Sequence, residues 1–460
     1  MDTDVAGQGT TKVRLSKSLS KGEKAATASR KEKIKEALAE LIIPYDSDTV
    51  PNIAVLGSGG GLRATIALCG TLVELNDQNL LDCVMYLSGV SGSAWCMSSL
   101  YKTEDWAERL KELEKHLQEK LTQNQFDFEA ATTALLNAAS DENYSLTDFW
   151  AYFVVHPMLN QLDETTLSEH RGASESGKNP YPVYAAVNDN TYVEDLAGTW
   201  FEFTPHEVGI PDLGVYVDTK YFGSAFENGQ MVEEKEEKNI CYLQGLWGSA
   251  FGSKQNIAKI MHGSFHRFHK LYKALLKTTA YLNEWRWGTT NNLLYKCCDD
   301  EVYNFSSEKT LSLIDAGVAI NIAYPLILHP GRNVKLFLSF DFSSGDPFET
   351  IEKTADHCEK HGIKFPKIGG IKSEDRKKPS CCYIFKGEDA PTIMHFPLFN
   401  KENCGDKVAE YRLQFDTSRL KYSNEEIEKL LIAAKKNVVN ARQKMWEEVK
   451  RAVAPSSEPI

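Results

Sequence analysis

Two short apolar runs, each ending in a tight glycine loop that opens a helix, constrain this chain more than any other feature. Ile53-Ala54-Val55-Leu56 runs into Gly57-Ser58-Gly59-Gly60-Gly61, and a helical pattern follows over about 62–75. Residues 83–87 run into Gly89-Val90-Ser91-Gly92-Ser93, where another helix begins. Parallel neighbours need a crossover, so strand, loop, helix, strand, loop, helix leads to an α/β fold with a doubly wound, mostly parallel central sheet. Functional groups in such sheets gather at the carboxyl ends of the strands. Further strands are expected at 181–187, 311–314 and 334–340, and helices at 31–41, 104–121 and 424–451. In the helix at 104–121, Trp106, Leu110, Leu113, Leu117 and Leu121 recur at helical spacing. The last helix opens with the capping box Ser423-x-x-Glu426, and its stripe of Ile427, Leu430, Leu431, Val438, Met445 and Val449 reads as core packing.

Bulk properties exclude several classes. No stretch approaches the ~18–20 apolar residues of a membrane span, and the N-terminus has no apolar secretory region. A soluble, cytoplasmic protein is the expectation. The formal net charge of −12 opposes nucleic-acid binding and broad attraction to anionic membranes, so any membrane contact must be local. Ten cysteines include the adjacent pairs Cys297-Cys298 and Cys381-Cys382 but no C-x-x-C, and they suggest neither a disulfide scaffold nor a metal framework. No cofactor is expected. Residues 1–30 lack apolar periodicity and read as a mobile tail, with a second short tail at 456–460.

The chemistry concentrates at the two loops. A serine hydroxyl is a nucleophile only when exposed and near a base. A tight strand-to-helix turn supplies the exposure, and its crowded backbone requires small neighbours, here Gly89 and Gly92 around Val90-Ser91. A glycine turn with an incidental serine is the plainer alternative. Gly59-Gly60-Gly61 offers backbone N–H groups at a helix N-terminus, suited to the tetrahedral oxyanion of acyl transfer. The same residues fit the dinucleotide fingerprint G-x-G-x-x-A, but that motif needs an acidic residue about 20 positions on, at the end of the next strand, where Ser88-Gly89-Val90-Ser91 stands instead. Arg63 places a cation in the first turn of a helix, against the dipole, so a return such as holding a substrate phosphate is sought, with a structural ion pair as the alternative. Asp315 ends the run at 311–314, poised as a base at the sheet edge or as a simple turn cap.

Taken together, Gly-Ser-Gly-Gly-Gly-Leu-Arg-Ala, Gly-Val-Ser-Gly-Ser and Asp-Ala-Gly resemble the catalytic domain of the patatin-like cytosolic phospholipase A2 family, most nearly its gamma, calcium-independent branch. The likeness continues through Glu142–Tyr152, Trp200–His206, Gly245–Ser249, Trp287–Thr290, Phe340–Ser343 and Gly345–Thr350, over about residues 30–450. It implies a Ser–Asp dyad with Ser91 as nucleophile and Asp315 as base, Gly60 and Gly61 as oxyanion donors, and Arg63 at the head-group phosphate. The substrates implied are glycerophospholipids, cleaved at sn-2, and lysophospholipids, with transacylation also typical. A catalytic domain over 31–455 with a cap inserted at roughly 195–300 is expected. Only about 50 residues precede the first site strand and the last cysteine is Cys404, so neither a calcium-binding C2 domain nor a prenyl anchor is expected.

Rival readings remain at this point. A Ser-His-Asp lipase would use His329 or His395, and an idle lipid-binding protein is the non-enzymatic choice. Asp341, Asp346 and Glu349 read as a solvated acidic turn without the regular spacing of a calcium loop. Between Lys254 and Asn283 there is no acidic residue, and Lys270, Lys273 and Lys277 among bulky apolar residues form a candidate membrane contact.

Overall fold

The computed structural model describes residues 12–45, 50–123, 126–196, 199–252, 257, 272–297 and 303–454. Strand β1 is Asn52–Gly57, helix α1 Gly61–Asp77, strand β2 Tyr86–Gly89 and helix α2 Gly92–Leu100. Later come β3 at Tyr181–Asn188, β4 at Thr310–Asp315, β5 at Val334–Asp341, β6 at Thr392–Pro397 and α3 at Asn424–Val453.

The chain divides into two compact units. One comprises Lys21–Thr122, His170–Tyr184 and Ile320–Ile460. Its sheet runs β3 (first half), β2, β1, β5, β6, all parallel, with Tyr383–Phe385 antiparallel on β6. Every residue of β2 is buried, as is β1 beyond Asn52, the mark of strands covered on both faces. Helix α3 packs along α1 so closely that a Cβ on Gly70 would stand 3.2 Å from the Leu431 carbonyl oxygen. The expected stripe of α3 is buried, and its capping box forms: Glu426 N–H donates to Ser423 Oγ at 3.2 Å and Ser423 N–H to Glu426 Oε2 at 2.9 Å.

The second unit lies within Met1–Ser20, Gln123–Glu169 and Ala185–Ala319. Here the second half of β3 pairs antiparallel with β4, which pairs with Thr289–Asn291. Trp200–Phe203, Glu207–Ile210, Val215–Asp218 and Arg14–Leu15 form an antiparallel series. These strands have two to four residues each. Segments that short carry no readable alternation, which is why the sequence pattern missed them.

Two expectations need correction. Residues 1–30 are not a tail throughout: Arg14–Leu15 is a strand, and a helix spans Lys21–Glu40, ten residues earlier than its pattern suggested. Tertiary contacts fix it, because Arg30 donates to the carbonyls of Val84, Leu81, Gly177 and Lys178, and Glu23 pairs with buried Arg332 at 2.9 Å. The helix expected at 104–121 is broken into a 3₁₀ turn, Trp106–Arg109, and a helix, Leu110–Thr122. The tail placed at 456–460 lies outside the described residues. No helix among the described residues is long and apolar enough to cross a membrane.

Candidate active site

The two glycine loops leave neighbouring parallel strands and interlock. Gly57 pairs with Gly89 at the strand ends, and Val90 N–H donates to Gly57 O at 3.1 Å. Ser93 Oγ donates to Ser58 O at 2.6 Å, and Thr65 Oγ1 donates to Gly92 O at 2.8 Å. A Cβ on Gly92 would lie 1.9 Å from Gly61 O, so only glycine lets the loops approach this closely. Between them Ser91 stands at φ 52°, ψ −120°, a left-handed backbone that a serine adopts only under constraint. Its Oγ is buried and has no hydrogen-bond partner among the described residues. A Cβ on Gly59 would come within 3.0 Å of Ser91 Cβ. Gly60, at φ 152°, caps α1, and Gly61 at φ 58° begins it. Helical geometry supplies no acceptor for the first N–H groups, so this terminus leaves backbone donors beside the serine turn.

Arg63 is 1% exposed. Its Nε donates to Phe342 O at 2.6 Å, Nη1 to Phe415 O and Nη2 to Thr417 Oγ1 at 3.0 Å. Desolvation holds its pKa down at about 10, against the pull of Tyr422, Asp341 and Asp416. The guanidinium thus ties the helix start to two distant loops, and no carboxylate pairs with it among the described residues. Three of its five N–H groups are used in these contacts.

Asp315 belongs to the second unit and is fully buried. Its Oδ1 accepts from Gly317 N–H at 2.8 Å and its Oδ2 from Ala250 N–H at 3.3 Å. Its own N–H donates to Ser249 Oγ at 3.0 Å. The turn-cap role weighed from sequence is therefore real. The clamp from Ser249 and Ala250 was invisible, because it joins residues 66 and 65 positions apart.

A profile of the lysophospholipase catalytic domain matches residues 53–356. Human cytosolic phospholipase A2 gamma is 37% identical over 526 aligned positions, covering 96% of this chain and 96% of that one. The mouse gamma protein is 35% identical, over 94% of this chain and 91% of its own.

The chain belongs to the cytosolic phospholipase A2 family.

The solved structure of human GIVD cytosolic phospholipase A2 superposes with a TM-score of 0.81 at 25% identity, over 97% of this chain and 69% of that one. The same enzyme in complex with methyl gamma-linolenyl fluorophosphonate gives 0.79 at 27% identity, over 97% and 66%. The α/β fold with a mostly parallel central sheet is thus the fold of this family.

Within this phospholipase A2 fold the other candidates fall into place. His395 is fully buried on β6, its Nε2 2.6 Å from Pro347 O, and burial lowers its pKa. His329 Nδ1 accepts from Gly331 N–H at 3.1 Å in a turn. No histidine hydrogen-bonds Ser91 Oγ among the described residues. Asp341 is not part of a solvated turn. It is 1% exposed and accepts from Ser343 N–H at 2.8 Å, and desolvation raises its pKa although His395 and Arg63 oppose it. Strand β5 carries it inward, a placement that the Gly-Asp-Pro sequence nearby obscured. Asp346 does lie at the surface, paired with Arg376, and Glu349 holds Lys353 at 2.8 Å. Lys277 donates to Ala139 O at 3.0 Å and Asp141 O at 2.7 Å. Lys270 lies outside the described residues, as does the side chain of Lys273.

Proposed function

We propose that this chain is a calcium-independent phospholipase A2 that hydrolyses the sn-2 ester of glycerophospholipids through an acyl-enzyme on Ser91. The observation that carries the reading is the strained, unpartnered Ser91 against the glycine terminus of α1. In the proposed sequence Ser91 Oγ attacks the ester carbonyl and its proton passes to the Asp315 carboxylate. The tetrahedral oxyanion is stabilised by the N–H groups of Gly60 and Gly61 and by the helix dipole. The intermediate collapses, and the departing lysophospholipid oxygen takes the proton from Asp315. Water, deprotonated by the same carboxylate, then attacks the acyl-enzyme; as the bond to Ser91 breaks, Ser91 Oγ takes the proton back from Asp315 and the fatty acid is released. A lysophospholipid hydroxyl in place of water gives transacylation, and a lysophospholipid in place of diacyl substrate gives lysophospholipase activity.

Arg63 is proposed to serve the substrate phosphate with the N–H groups that its protein contacts leave over. Its burial and its bonds to Phe342, Phe415 and Thr417 favour a second role as a brace for those loops. Peripheral contact with intracellular membranes, through the basic and apolar sequence of 254–283, completes the proposal. Calcium independence rests on the likeness to the gamma branch.

The test is product analysis by mass spectrometry on mixed phospholipids. Wild type should yield lysophospholipid and the sn-2 fatty acid, while Ser91→Ala and Asp315→Asn should each lose on the order of 10⁴-fold or more in rate. Near-wild-type turnover by Asp315→Asn rejects the dyad, and a folded but equally inactive His395→Ala favours a histidine base.

A further inference from the structure

We propose that Asn321 is the positioning residue that aims the Gly60 amide at the reacting oxygen. The inference rests on the reading of Ser91 as nucleophile and deepens it. Both polar groups of Gly59 are held by this one residue: Gly59 N–H donates to Asn321 O at 3.1 Å, and Asn321 Nδ2 donates to Gly59 O at 3.3 Å. Because Gly59 O can only accept, the amide atom facing it must be the nitrogen. The other N–H of Nδ2 goes to Ser343 Oγ at 3.1 Å. Ser343 is in turn fixed at the end of β5, its N–H on Asp341 Oδ1 at 2.8 Å. Ser58 Oγ adds a second donor to Gly59 O at 3.0 Å.

The consequence follows from peptide planarity. The carbonyl of Gly59 and the N–H of Gly60 belong to one trans peptide and point in opposite directions. Holding the oxygen toward Asn321 and Ser58 therefore turns the Gly60 N–H the other way. A run of three glycines gives that plane little steric reason to stay put, since glycine tolerates the alternative dihedrals that a flip requires. Flipped, the peptide would offer a carbonyl oxygen to the developing oxyanion and repel it. The side chain of Asn321 also fills the space beside Gly59, with Oδ1 2.4 Å from where a Cβ would stand. Loop, asparagine and strand end thus form one fixed set, so the donor is aligned before the charge develops, as electrostatic stabilisation requires.

The experiment compares wild type, Asn321→Ala and the isosteric Asn321→Asp with a soluble monomeric ester. It measures kcat, KM, Tm and the inhibition constants of two probes: a fluoroketone, which becomes an oxyanion on addition of the serine, and its unreactive ether analogue. Both variants should lose on the order of 10²-fold in kcat with little change in KM. Fluoroketone affinity should fall by a similar factor, while the ether analogue binds as before. Asn321→Asp is the safeguard if the alanine variant does not fold; it keeps the volume but turns a donor into an acceptor that repels Gly59 O. Wild-type kcat in a folded variant, or equal weakening of both probes, overturns the proposal. The underlying reading fails separately, if Ser91→Ala keeps its activity on the same ester.

Discussion

At Ser91 the backbone sits in a region that costs about 1–3 kcal/mol for a non-glycine residue, and the interlocked loops hold it there. Gly92→Ala tests that lock. Its Cβ would meet Gly61 O at 1.9 Å, so the two loops must separate. Overpacking of this kind should lower stability by about 1–3 kcal/mol in a denaturant titration, with a larger proportional loss of turnover because the donors move off the serine. For Arg63 the two proposed roles give different numbers. As a phosphate ligand, Arg63→Ala should reduce phospholipid turnover far more than turnover of a neutral, phosphate-free ester, and lysine should rescue poorly. As a brace, the same change strands the carbonyls of Phe342 and Phe415, which costs about 1–3 kcal/mol each, and both substrates suffer alike. The positions of Ser91, Gly60, Gly61 and Asp315 were legible because each ends a strand or opens a helix. Asn321, Ser249 and Ala250 were not. A single polar residue in a loop carries no periodicity, and its partners become neighbours only after the chain folds.

At the level of elements, the capping box of α3 was written in the sequence, because Ser423 and Glu426 are three positions apart and need only a helix between them. Arg419 adds to it from the preceding loop, donating to Glu426 Oε1 at 2.6 Å. The Arg419 hydrogen bond chiefly, with the Ser423 N–H and Gln414, holds the Glu426 carboxyl down at about 2, from an ordinary 4.5. A depressed carboxyl contributes stability that is full above 4.5 and is lost as pH falls through about 2. Glu426→Gln should therefore flatten the stability–pH curve of the protein across that window and cost about 1 kcal/mol near neutrality. An unchanged slope would show that the helix end is anchored elsewhere. The Lys21–Glu40 helix teaches the opposite lesson. Its anchors, Glu23 with Arg332 and Arg30 with four carbonyls, lie far away in sequence, so local pattern placed its start ten residues late. Glu23→Ala leaves Arg332 buried without that carboxylate and should destabilise by about 3–5 kcal/mol.

For the whole molecule, the parallel sheet followed from two strand–loop–helix repeats, while the antiparallel unit around β4 did not, because most of its strands are too short to show a pattern. Membrane contact belongs at this scale too. Lys277 already braces the Ala139 and Asp141 carbonyls, so reversing its charge should lower Tm as well as vesicle binding. Lys270→Glu with Lys273→Glu is the cleaner pair for a vesicle assay, because each lysine near an anionic surface contributes about 1 kcal/mol. Weaker binding at low salt with an intact soluble-ester rate is the expected outcome, and unchanged binding removes the segment from the proposal. Chelator should leave vesicle hydrolysis as it was. The most direct test of the central claim is the rate at which a fluorophosphonate labels the native protein, with the modified peptide mapped by mass spectrometry. One adduct is expected, on Ser91, formed orders of magnitude more slowly in Asp315→Asn and at an undiminished rate in a folded His395→Ala. An adduct on another residue, or full-speed labelling without Asp315, would contradict it.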